Sequence, residues 1–165
     1  MKKKMNRKGF TLVELLAVII VLALIMVLAI PNVLSSANTA QKKTFQMYGE
    51  KVLNSAMTLY ESQKLLNDVT KKTMTIGTKK YPCYTLSDLG YGEGTGYTGV
   101  VYVIPSTLIG STGTNATTYH IYLTDETFGY ESVEMSVVMN DISAVDTLES
   151  TDDITKLKNT MANCK

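Results

Sequence analysis

The chain has 165 residues, a mass of 18.1 kDa and a formal net charge of +1, which is room for one ordinary domain and a short accessory element. With 45% hydrophobic and 19% charged residues, it is neither a disordered chain nor a coiled-coil rod. One His and no Trp leave little for a metal cluster or a His-based catalytic apparatus, and the near-zero charge argues against a general nucleic-acid binder, which is normally basic.

Charge is placed unevenly along the chain. Residues 1–9 hold Lys2, Lys3, Lys4, Arg7 and Lys8 and no acid, so the remainder has 11 cations against 15 acids. A basic block directly before an apolar run stays on the cytoplasmic side while the run crosses or leaves the membrane. That run is Phe10 to Ile30. As a helix it is roughly 31 Å long at ~1.5 Å per residue, close to a bilayer core of about 30 Å. It is longer than the apolar stretch of an ordinary secretory signal, about 7–15 residues. It holds one ionisable residue, Glu14, and ends at Pro31.

A carboxylate in a membrane segment costs on the order of 3 kcal/mol by insertion scales, so Glu14 calls for a partner. A shallow position near the head groups and the basic leader is the plain reading. The sharper reading is a cation on a neighbouring copy of the chain. If the bond after Gly9 were cut, the new amino group of Phe10 would be such a cation, one helical turn from Glu14 and at the same depth.

The segment KGFTLVELLAVIIVLALIMVLAIP, residues 8–31, resembles the amino-terminal signature of type IV prepilins and pseudopilins. The resemblance implies cleavage of the Gly9–Phe10 bond by a membrane prepilin peptidase and methylation of Phe10. A residue without Cβ at Gly9 lets a protease approach the backbone closely. It also implies that Glu14 neutralises the amino terminus of an adjacent subunit, where an unpaired charge would be costly. The subunit then starts as a single-pass precursor in the inner or cytoplasmic membrane, held in the lipid bilayer, and ends as a homo-oligomer in an extracellular helical filament. The implied partners are the peptidase, a membrane assembly platform, an assembly ATPase and other pilins.

Pro31 lacks an N–H and clashes with the carbonyl four residues back, so it kinks or locally melts a helix. Beyond it, Leu34, Ala37, Gln41, Phe45, Tyr48, Val52, Ala56 and Leu59 recur at three- and four-residue steps. Lys42, Lys43, Gln46, Glu50, Asn54 and Glu61 mark the other face. The pattern predicts an amphipathic helix. One long helix is therefore expected from about Phe10 to about Leu66, bent near Pro31. The expected organisation is a leader (1–9), an apolar transmembrane and filament-core helix (10–31), an amphipathic half (32–66) and a globular head (67–165).

Residues 67–98 read as loop-rich, with a short strand at Thr73–Ile76 and a helical turn at Thr85–Leu89. Gly94 to Gly99 matches GxGxxG literally. A dinucleotide site needs that motif after a strand and opening a helix. Here it precedes Val100–Ile104, a strand pattern, so it reads as a Gly/Tyr-rich surface loop, which by resemblance is a place of subunit contact. Thr107–Thr114 reads as a Gly/Ser/Thr loop. Thr118–Thr124 alternates, with Tyr119, Ile121 and Leu123 on one face. Asp125–Thr127 is a hairpin turn. Phe128–Met139 continues at period two through Val133, Met135, Val137 and Met139, and reads as a strand or as a short helix. Ser150 caps an expected terminal helix from Thr151 to about Ala162, with Asp152 and Asp153 early and Lys156 and Lys158 late. The fold class is α+β: a long amino-terminal helix packed on an antiparallel sheet.

The acids Asp141, Asp146, Glu149, Asp152 and Asp153 lack the fixed spacing of a calcium loop and read as caps and solvated loops. His120 reads as a sheet-surface residue. Asn115-Ala116-Thr117 is a glycosylation sequon. No cofactor or metal is implied, and no nucleophile–base constellation suggests an enzyme. Cys83 and Cys164 are the only cysteines. An even count in an exported head favours a bridge between them, with two free thiols as the alternative. The expectation is a structural subunit of a type IV pilus or related filament, serving adhesion, motility or DNA uptake. Two alternatives stand beside it. One is a pseudopilin or minor pilin of a type II secretion or competence apparatus, and the other is a binding module on an uncleaved anchor.

Overall fold

A computed structural model describes residues 11–91, 94–106 and 116–165, and the side chains of residues 28–34 are left aside. The chain divides into two compact units, Met1–Ala40 and Gln41–Lys165. Helix α1, Leu12–Leu65, has 54 residues and contributes to both. The helical assignment continues through Pro31.

The second unit is α+β. Among the described residues six antiparallel strands follow α1: β1 Thr73–Ile76, β2 Lys79–Thr85, β3 Thr98–Ile104, β4 Thr118–Thr124, β5 Phe128–Glu134 and β6 Asp146–Thr147. Their order in the sheet is their order in the chain, a plain meander. Helix α2, Met135–Asn140, lies between β5 and β6, and α3, Thr151–Met161, follows.

Local chemistry sets the turns. β1 and β2 are joined by the two residues Gly77 and Thr78, and Gly77 has φ +62°, the left-handed conformation that a two-residue hairpin demands. Between β4 and β5, the Asp125 Oδ1 accepts from the amides of Thr127 (2.9 Å) and Phe128 (2.7 Å), a side chain standing in for a backbone turn. Opposite Tyr122 the register slips, with Ile121 facing Val133 and Leu123 facing Tyr130. Ser132 takes φ +57° at this bulge, where its Oγ lies 2.6 Å from the Tyr102 hydroxyl. That bond helps offset a conformation that L residues rarely adopt.

The sheet is buried on both faces. The second half of α1 covers one of them. Phe45, Val52, Leu53, Ala56 and Tyr60 pack there on Tyr84, Val101, Val103, Ile121 and Leu123. On the other face α3 and the carboxyl-terminal tail bring Leu157, Met161 and Cys164 onto Met74, Val100, Tyr102 and Tyr122. This explains why β3 is buried at Gly99 through Val103 instead of alternating: a strand covered on both sides is apolar on both.

The helix stripe differs from expectation in part. Ala37 and Gln41 are exposed, whereas Leu53 and Tyr60 join the core. Leu34 lies among the side chains left aside. Gln46, read as polar-face, is 2% exposed. Its Nε2 donates to the Val138 carbonyl at 2.6 Å and its Oε1 accepts from Lys43 Nζ at 3.1 Å. Both ends of the amide are satisfied, which is what lets it be buried. Helix and sheet approach closely at Gly49, where a Cβ would stand 2.9 Å from Tyr130 Cε2.

Candidate functional site

The amino-terminal end of α1 carries the chemistry. Thr11 Oγ1 accepts from the Glu14 amide at 3.2 Å, and Glu14 Oε2 accepts from the Thr11 amide at 2.8 Å and from Thr11 Oγ1 at 3.0 Å. This is a reciprocal capping box, with two otherwise orphan donors of the helix start satisfied. The sequence carries its signature, a Thr followed three residues later by a Glu before an apolar run, although the family resemblance drew attention to Glu14 alone. Oε1 of Glu14 accepts no hydrogen bond among the described residues. Gly9 and Phe10, the expected scissile pair, lie outside the described residues.

From Leu15 to Val27 the helix is apolar on all its faces, and all of it is exposed. Leu12 is 82% accessible, Leu16 50% and Val27 71%. A helix apolar all round is stable only when lipid or other helices cover it. No helix among the described residues is long and apolar enough to cross a membrane. The described side chains of the apolar run end at Val27, short of Ile30.

Other candidates resolve into packing. Cys83 on β2 and Cys164 after α3 form a disulfide with Cα atoms 5.9 Å apart. Beside it, the amide of Thr73 donates to the Lys165 carbonyl at 2.8 Å and the Lys165 amide donates to Thr73 at 3.3 Å. The tail is thus laced to the outer side of β1. The GxGxxG stretch packs without any helix after it. Tyr97 stacks on Tyr48 with centroids 3.9 Å apart. At Gly99 a Cβ would meet Leu123 Cδ1 at 2.7 Å and the Tyr122 carbonyl oxygen at 3.0 Å, so a side chain there would force its neighbours to shift. Tyr91 also turns inward, its hydroxyl 2.8 Å from Ser55 Oγ, so this loop is a partner of α1 more than a free surface. Gly92 and Glu93 lie outside the described residues, as do the loop 107–115 and Asn115 of the sequon.

His120 is half-buried and stacks on Tyr102 with centroids 5.0 Å apart. Among the described residues no three potential ligands gather as a metal site. Asp141 is engaged by Ser143 and Asp153 by Ser150, as local caps would be. The Asp88 carboxylate receives Lys72 Nζ at 2.7 Å and the Thr85 amide at 2.9 Å. Burial raises this carboxyl, but the bonds from Lys72 and Thr85 outweigh it and hold it below the ordinary range.

Neither the curated proteins nor the solved structures contain a match to this chain. Residues 4–30 match the prokaryotic N-terminal methylation motif. These residues span the basic leader, the capped start of α1 and the exposed apolar helix, so the chain carries the type IV prepilin signature and is pilin-like in its amino-terminal part.

Proposed function

We propose that this chain is the structural subunit of a type IV pilus or related extracellular filament. The observation that carries the reading is the stretch Leu15–Val27 of α1, exposed and apolar on every face, headed by the Thr11–Glu14 box within the methylation motif. Such a helix demands cover. Lipid supplies it in the single-pass precursor and neighbouring copies supply it in the filament. Prepilin peptidase cuts between Gly9 and Phe10, and Phe10 becomes the methylated terminus. The cap occupies Oε2 of Glu14, which leaves Oε1 for the amino group of an adjacent subunit. One carboxylate then serves helix start and subunit register together. Pro31 removes one backbone hydrogen bond from α1 and is the proposed point of bending in a helix that continues through it. The assembly platform, the ATPase and other pilins complete the machinery. The motif implies a structural role and not an enzymatic one.

The same motif heads pseudopilins and minor pilins of type II secretion and competence systems, which are distinguished by abundance. The test is amino-terminal and intact mass spectrometry of material sheared from host cells and pelleted. A chain beginning at methylated Phe10 is expected there, as the main component for a major pilin and as a trace for a minor one. A chain that stays in the membrane and begins at Met1 would sink the filament reading.

A further inference from the structure

The two edges of the sheet carry opposite charge. Between Lys80 and Lys156 the sequence contains no Lys or Arg and eleven acids. Strand order follows chain order, so an asymmetry along the sequence becomes an asymmetry across the sheet. At the β1–β2 edge, Lys71, Lys79 and Lys80 are exposed, and Lys165 is brought alongside by its pairing with Thr73. Of the nearby acids, Asp88 is already engaged by Lys72 at 2.7 Å, and Asp68, which precedes β1 in the chain, is exposed.

At the opposite edge, β5, β6 and the turn between α2 and β6 present Glu131, Glu134, Asp141, Asp146 and Glu149. Cations on this side are Lys156 on α3 and, on α1, Lys42, which donates to the Val145 carbonyl at 3.1 Å, and Lys43, which is engaged by Gln46 Oε1 at 3.1 Å beside α2. Strands leave both edges partly open among the described residues. β6 pairs with only Phe128 and Gly129 of β5, and Lys165 meets β1 only at Thr73.

We propose that these edges are the two halves of one lateral contact, in which the lysine edge of one head lies against the carboxylate edge of the next copy. The occupant is a second copy because each head carries both complementary faces. A polyanion would use the lysine edge alone. A contact between two different patches does not close on itself and propagates as a row. Single exposed ion pairs are weak, but a complementary row of them steers approach and fixes register. This contact deepens the filament reading and rests on it for its setting, although it belongs to the heads alone.

The test mixes isotope-labelled and unlabelled full-length chains in detergent micelles, couples touching amines and carboxylates with a zero-length carbodiimide, and maps interchain amides by mass spectrometry. Amides joining Lys71, Lys79 or Lys80 to Glu131, Asp146 or Glu149 are expected, falling at least about fivefold at molar salt. The triple variant Lys71→Glu, Lys79→Glu, Lys80→Glu mixed with the parent should lose contacts through its own reversed edge. Mixed with Glu131→Lys, Asp146→Lys, Glu149→Lys it should regain them with the reacting groups exchanged, a result that misfolded heads would not give. Interchain amides absent or mapping elsewhere, no recovery in the mixed pair, or lysine variants that lose only heparin binding would each overturn the contact. If sheared filaments beginning at Phe10 form without these amides, the contact fails and the filament stands. If the amides form while the cellular chain still begins at Met1, the filament reading fails and the contact stands.

Discussion

Glu14 has a local role at the start of α1 beside the charge pairing proposed for it. Its Oε2 closes the capping box with Thr11, so Thr11 is the residue that positions the carboxylate. Thr11→Val should cost about 1 kcal/mol at the helix start, roughly a fivefold gain in exchange of the Glu14 amide, while Thr11→Ser should leave it near the parent. Amide exchange in micelles reads both. At Gly49 the tight approach to Tyr130 Cε2, 2.9 Å from a would-be Cβ, predicts that Gly49→Ala costs about 1–3 kcal/mol by overpacking. Among the described residues the buried Tyr130 hydroxyl has no hydrogen-bond partner. Tyr130→Phe should therefore be neutral or stabilising in denaturant melts, and it should not relieve Gly49→Ala, because the clash is with the ring carbon. Position 49 shows where residue-level reading stops. The sequence offers a Gly in the middle of a helix, and only the strand behind it explains why.

At the level of elements, the parts with local signals were legible. Ser150 accepts from the Asp153 amide at 3.1 Å at the start of α3, as its position before two acids implies. Ser150→Ala should cost about 1 kcal/mol and loosen α3 first, seen as faster exchange at Asp153 and Ile154. The period-two run after Phe128 reads as a strand or a short helix, whereas the chain forms both in turn, a strand to Glu134 and then α2. β2 was missed because Lys79-Lys80 and Pro82 carry no strand signal. Pro82 is tolerated because β3 pairs only with the residues after it, Cys83 to Thr85. β6 has two residues, too few for any periodicity. The burial of Gln46 was invisible for a similar reason, since its partner Val138 lies 92 residues away.

At the scale of the whole molecule, the tyrosines make the head sensitive to alkali. Burial pushes the Tyr84 hydroxyl up to about 12, with the Tyr60 and Asp88 charges adding to it. Burial likewise raises Tyr119, with its bond to Glu61 adding, and it raises Tyr130. A phenol with a raised folded pKa favours the protonated native state. Its contribution is complete below the unfolded value of about 10 and disappears as pH rises through the folded one. The head should therefore hold its stability to about pH 10 and lose it steeply toward 12, with phenolate absorbance appearing together with unfolding. Removal of the cystine by Cys83→Ser with Cys164→Ser should cost on the order of 4 kcal/mol by loop entropy. Protection should vanish first at Leu157 and Met161, and the packing of α1 on the sheet should persist longest.

That cystine has a mechanical consequence. It joins residues separated by 81 positions, so a chain pulled from its two termini passes its load from Cys83 to Cys164 directly. The intervening segment, roughly 280 Å of contour at ~3.4 Å per residue, cannot be paid out as slack. β3, β4, β5 and α2 lie within that shielded length. A tether built this way yields only through α1, β1 and the start of β2, and behaves as a short, stiff link. Single-molecule stretching should show the full extension only after a reductant is added.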